Sequence, residues 1–244
     1  MSTVRETDPS HIFNKSFNLR PIIVIKIFIN YVKSKFDISK KERILLSKTI
    51  RKYVLVVGNL LNIPYLTITV YQNPSEVIPE TGYGGYAITG EWVCIYVDPK
   101  NKKFSFKDIV EKNLPGAIFH EMNHVARFRS VGYGDTLLEV IISEGIASVF
   151  EKEQWKPIIP PWTKFDEKEI ANLLKIVRKR DKKKDRTYNH GEWFFGRGKL
   201  PRWSAYKIGT YIVELVRKNF PEISWQKLTA MRADEVIKKS GIKI

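Results

Sequence analysis

Residues 120–124 read His120-Glu121-Met122-Asn123-His124, an HExxH pattern. On a helix, positions i and i+4 share one face, so both imidazoles can point at one metal ion. The Glu beside the first His can reach a water at that ion and act as its base. The chain holds only four His, and two of them fall in this motif. At that frequency, chance would produce the pattern in under about 1% of chains of this length. The flanks Ala117, Ile118, Phe119, Val125 and Ala126 are apolar on most sides of the helix, which predicts burial. Buried imidazoles and carboxylates need partners.

A third ligand is required. The metzincin extension needs Gly at 127 and His at 130, where this chain has Arg127 and Ser130. The other arrangement takes a Glu from the next helix, and two are available, Glu139 and Glu144. Glu139 falls in the first turn, where a carboxylate complements the helix dipole. Glu144 sits among Val140, Ile141, Ile146 and Val149, where an unpaired carboxylate would be costly. The neighbouring Gly145 costs about 1 kcal/mol of helix propensity relative to Ala, which a close helix approach would explain. Helical position and buried context favour Glu144. Two imidazoles and one carboxylate leave a fourth position for water, as a catalytic zinc site requires, with Glu121 as base.

The segments HEMNHVAR (120–127), TLLEVIISEGIA (136–147), WFFG (193–196) and PRWSAYKIGTYIV (201–213) resemble the YjaZ-like family of predicted Zn-dependent proteases, in the gluzincin group. The resemblance runs from about Gly82 to the C-terminus. It implies a zincin-like peptidase domain with zinc bound by His120, His124 and Glu144, acting on a peptide or protein substrate. Hydrolysis also needs a donor for the developing oxyanion. Tyr206, His190 and Tyr211 are the candidates, and the resemblance favours Tyr206, the tyrosine of AYKIG.

The elements that must position these residues follow from local pattern. Residues 21–36 are apolar but do not resolve into strand or helix. Ser39 with Glu42 has capping-box spacing and opens a helix that ends at Asn62 and Pro64. Tyr65–Tyr71 reads as a strand. Gly84–Thr89 and Trp92–Val97 read as a hairpin about Gly90-Glu91. Gly84, Gly85, Tyr86 and Ala87 would form a strand edge on which an extended substrate pairs, the glycines allowing close approach. Helices are expected near 115–129, near 136–153 capped by Asp135, after Asp166, and over 204–219, with two short ones at the end. The order predicts an α+β fold, a small sheet with an edge hairpin packed on the HExxH helix and a helical C-terminal half. The division expected is 1–81, an N-terminal arm, helix and first strand, and 82–244, the catalytic domain.

Composition bounds the rest. At 244 residues with 43% apolar content, the chain can bury a substantial core. The single cysteine, Cys94, excludes an internal disulfide and Cys-rich zinc modules. The polar first twenty residues carry no signal-peptide pattern, and Pro21–Val32 is too short to span a bilayer. A cytoplasmic location is the expectation. A net charge of +16 attracts anions and would favour acidic peptides. The basic run Arg178–Arg186 lacks interleaved aromatics, which argues against nucleic acid. The competing reading is a zinc-containing binding module, catalytically inactive, for an acidic protein or nucleic acid. The intact Glu121 and third ligand argue for the enzyme.

Overall fold

The computed structural model describes residues 24–35, 37–181 and 187–244. The expected N-terminal arm, 1–20, and most of the last part of the basic run, 182–186, lie outside these residues. The fold is α+β, built on a four-stranded mixed sheet. Its strands are β1 (Lys26–Tyr31), β2 (Tyr65–Gln72), β3 (Tyr83–Thr89) and β4 (Trp92–Val97). The spatial order is β1-β2-β4-β3, with β1 and β4 parallel to β2 and β3 antiparallel to β4. The ambiguous apolar stretch therefore supplies an edge strand. Ile27 and Ile29 pair with Leu66 and Ile68, and all four turn to the core face.

Helix α1 (Lys40–Leu61) forms as its capping box requires. Ser39 accepts from the Glu42 N–H, and Glu42 accepts from the Ser39 backbone. Asn62 ends it in the left-handed region, at φ 59°. After β4, a helical turn α2 (Phe106–Asp108) and a π turn (Ile109–Asn113) lead into α3 (Leu114–Phe128), which carries the HExxH motif. Pro115 has no N–H to give the Glu111 carbonyl and its ring crowds that oxygen, and the helix widens just before it. The remaining elements are α4 (Leu137–Gln154), a 3-10 turn (Pro161–Thr163), α5 (Glu167–Asp181), α6 (His190–Phe195), α7 (Ser204–Asn219), α8 (Trp225–Thr229) and α9 (Ala233–Ser240).

One expectation needs correction. Thr136, not Asp135, caps α4, and Glu139 closes a capping box with it: Glu139 Oε2 accepts from the backbone N–H of Thr136 (3.0 Å) and of Asp135 (3.1 Å). His190, one of the candidate donors, opens the short helix α6, capped by Asn189.

The core has two parts. One joins the sheet to α1 and α3. The other joins α4, α5, α6, α7 and α9. Helices α3 and α4 lie on the seam, so the residues they turn toward each other come from both halves. At the crossing of α4 and α7, Gly145 and Gly209 meet backbone to backbone. A Cβ on Gly145 would lie 2.2 Å from the Gly209 carbonyl carbon. The close helix approach expected at Gly145 is therefore present, with α7 as the neighbour.

Candidate metal centre and cleft

Helix α3 is buried along almost its whole length. His120, Glu121 and His124 are each less than a tenth exposed. Across the seam, Glu144 of α4 meets both imidazoles. His120 Nε2 lies 3.1 Å from Glu144 Oε2 and His124 Nε2 lies 3.4 Å from Glu144 Oε1. One ligand atom from each of the three residues falls within 4.8 Å of the others. A tetrahedral ion with bonds of about 2.0–2.1 Å separates its ligands by roughly 3.3 Å, close to each of these two contacts, which use different oxygens of Glu144. Glu139, the rival ligand, is committed to the α4 cap and is not part of the group.

The electrostatics are those of a site that holds positive charge. Burial would lower the His120 pKa, but hydrogen bonds to Glu144 and Glu151 outweigh it and hold it well above the usual imidazole value. Burial would raise the Glu144 carboxyl, yet the two imidazoles draw it well below the usual range. A proton between imidazole and carboxylate does here what a bound cation would do instead, so metal and proton compete.

Glu151 is a partner the sequence reading missed. It stands seven residues after Glu144, two turns along the same face of α4. Its Oε2 lies 3.2 Å from His120 Nδ1, so carboxylates flank both nitrogens of that ring. Such a partner fixes the orientation of a ligating imidazole. Gly116 makes room for it, since a Cβ there would lie 2.7 Å from Glu151 Oε1.

Tyr133 was missed as well. It lies between Gly132 and Gly134, both at positive φ, in the short connection between the ligand-bearing helices. Its hydroxyl donates to Glu144 Oε1, and its ring centroid is 5.1 Å from that of His124. A tyrosine between two glycines, eleven residues before a nominated ligand, was the available signal. Its backbone is held in turn. Ser143 Oγ donates to the Tyr133 carbonyl and accepts from Arg127 Nε at 2.7 Å. Arg127 is buried and also donates to the carbonyls of Thr229 (3.0 Å) and Met231 (2.9 Å). Burial lowers its pKa to about 10. The residue that broke the metzincin pattern thus ties α3 to α4 and to the C-terminal segment.

Glu121 projects toward β3. Its Oε2 accepts from the Ala87 N–H at 2.9 Å. Gly85 leaves the space: a Cβ there would lie 2.6 Å from Glu121 Oε1 and 2.7 Å from its Cγ. Burial raises the Glu121 carboxyl, against the pull of His120, His124 and the Ala87 N–H. Gly84 serves a different contact, the Glu76 carbonyl, 2.1 Å from where its Cβ would be. Tyr86 projects the other way and is 57% exposed.

β3 ends the sheet, so among the described residues one edge pairs with no strand beyond an isolated bridge of Tyr83 to Ile78. A cleft opens there, lined by Ile78, Tyr83, Gly85, Ala117, Trp162 and Tyr206 together with His120 and Glu121. Tyr206, on α7, has its ring centroid 6.3 Å from that of His120. Burial and the Glu144 charge raise its pKa far up, so it stays a donor. His190 is stacked on Phe194 at 4.2 Å and feels the charge of Glu144 at longer range. Tyr211 packs edge-on against Phe165 in the helical half. Arg202 and Glu80, joined through Nη1 and Nη2 of the guanidinium, tie the segment before α7 to the loop before β3.

The fold and site define an α+β protein with a buried His/His/carboxylate group on paired helices that could hold a metal ion, beside an unpaired strand edge and a cleft. The chain belongs to the family described as predicted Zn-dependent protease (DUF2268), whose model matches residues 45–238. That match begins within α1, well before Gly82, where the resemblance to the family was expected to start. No curated protein and no solved structure matches the chain. Among the described residues, no helix is long and apolar enough to cross a membrane.

Proposed function

We propose that this protein is a zinc-dependent peptidase in which His120, His124 and Glu144 hold the ion and Glu121 moves the proton. The observation that carries this reading is the placement of Glu121. It adjoins the metal group, yet its carboxylate turns to the strand edge, where Gly85 leaves room for it and Ala87 holds it. Purely structural metal sites are closed and have no use for such a group.

The donor set fits zinc: two imidazoles and a carboxylate, with no thiolate. When bound, zinc supplies Lewis acidity that polarises a carbonyl and lowers the pKa of water. Glu121 takes a proton from the attacking water and returns it to the leaving amine, a double role suited by its raised pKa. Tyr206 keeps its phenolic proton and donates it as a hydrogen bond to the carbonyl oxygen as charge develops there. His190 is the alternative donor. Glu151 and Tyr133 orient His120 and Glu144.

The substrate lies extended along β3. Residues two apart on a strand direct their backbone groups to the same edge. The Ala87 N–H is held by Glu121, so the backbone of Gly85 and the carbonyl of Ala87 remain to pair with it.

The test separates binding from chemistry. Glu121→Gln keeps one zinc per chain and its fold, and hydrolyses no member of a diverse peptide library. His120→Ala loses the zinc. Wild-type hydrolysis by Glu121→Gln removes Glu121 from the mechanism. Zinc binding without hydrolysis by the wild type supports a binding module instead.

A further inference from the structure

The positive charge is unevenly placed. Residues 24–61, which hold β1 and α1, carry nine Lys and Arg against Asp37 and Glu42, seven of the sixteen excess charges. Both carboxylates are engaged. Asp37 accepts from Arg43 Nη2 at 3.1 Å, and Glu42 closes the cap of α1.

Helix α1 sorts its residues by face. Leu46, Ile50, Val54 and Val57 are fully buried. The opposite face exposes Lys41, Ile44, Lys48, Arg51, Lys52 and Leu55, a run at helical spacing with no acid in it. Ile44 is 61% exposed and Leu55 43%. Arg51 Nη1 donates to the Ile27 carbonyl at 3.4 Å, so this face adjoins β1. Phe28, between Ile27 and Ile29, projects from the opposite face of the sheet and is not part of this surface.

Solvation accounts for the cations, but not for bulky apolar side chains set among them. A duplex nucleic acid would match the charge and leave those side chains in water. A single strand needs aromatic surfaces for stacking, and none of these exposed α1 residues is aromatic. The interface of an anionic bilayer takes both kinds of group. Phosphates meet the cations, and apolar side chains enter the headgroup boundary.

We infer that the outer flank of α1 docks this protein on an anionic phospholipid surface. The sheet order puts β1 at the far edge from β3, three strand spacings or roughly 14 Å away. Docking by that flank leaves the β3 cleft open to solvent. This inference stands on the flank alone and does not depend on the peptidase reading.

The test is sedimentation of the full chain with vesicles of phosphatidylglycerol and phosphatidylcholine, against pure phosphatidylcholine. The mixed vesicles bind the protein, more weakly as salt rises, and the neutral ones do not. Lys48→Gln/Arg51→Gln/Lys52→Gln lowers binding on the order of a hundredfold, from the usual gain per cation near a charged surface. Ile44→Ser/Leu55→Ser keeps the charge and lowers binding about tenfold. All five positions are exposed, and unchanged melting curves and zinc content verify that the variants fold. Equal binding to both vesicle types, or wild-type binding by the charge variant, overturns the inference. So does a loss confined to the charge variant, which would mark general attraction to polyanions. Tighter binding to a DNA duplex than to mixed vesicles at the same salt assigns the flank to nucleic acid.

Discussion

Alanine at position 145 would place its Cβ 2.2 Å from the Gly209 carbonyl carbon and 2.3 Å from its oxygen. Carbon atoms in comfortable contact sit about 3.5–4.0 Å apart. The shortfall is more than an ångström, and the obstructing atoms are backbone inside α7, so no rotamer change relieves it. The helix must move, drawing Ile208 and Ile212 partly out of a fully buried layer. Overpacking of this kind costs about 1–3 kcal/mol even where side chains can yield. Here it falls at the upper end, while the gain in helix propensity is about 1 kcal/mol. The net loss of about 2 kcal/mol lowers Tm by roughly 4–8 °C for a chain of this size. Scanning calorimetry of the metal-free protein measures it. Gly209→Ala behaves alike, its Cβ 2.1 Å from the Ile141 carbonyl oxygen. Because both open the same crossing, the double variant loses less than the sum of the two. Gly132→Ala is the control. Its φ is +81° but no atom lies within 4 Å, so only the backbone term of about 1–2 kcal/mol remains. A Tm for Gly145→Ala equal to or above wild type would refute the packing argument.

Three further outcomes are expected. Gly85→Ala forces Glu121 aside and lowers kcat by at least about tenfold while zinc content is kept, as metal analysis beside peptide hydrolysis will show. Tyr133→Phe removes the hydroxyl on Glu144 and weakens zinc binding about 10–100-fold in a chelator competition, with the melting curve of the metal-free protein nearly unchanged. His190 has its pKa lowered by partial desolvation against Phe194, opposed by the Glu144 charge. The unfolded chain therefore binds the His190 proton first as pH falls. The contribution is present above about pH 6.5 and is lost as pH drops through that value toward the folded pKa. Melting curves of wild type and His190→Gln should converge or cross in that direction, and a difference independent of pH would remove His190 from the balance.

The sequence by itself determined whatever depends on local spacing. The HExxH helix, the capping box of α1, the β3–β4 hairpin and the boundaries of α7 are short-range patterns, and each appears in the structure. Glu144 was nominated by its apolar neighbours, because an unpaired carboxylate there is too costly to be incidental. Gly145 was legible as a close approach, though not as one to Gly209, since a glycine shows that something is near and not what. The residues 21–36 stayed ambiguous because an edge strand with one solvent face and frequent lysines has neither a clean period of two nor of 3.6. Tertiary structure alone brought Glu151 to the far nitrogen of His120. It also linked Arg127, Ser143 and Tyr133 behind Glu144, and turned Glu121 to the backbone of β3. These contacts join residues 10 to 34 apart in the chain. Their geometry depends on how α3 and α4 meet at the seam between two cores, and no local period encodes that meeting.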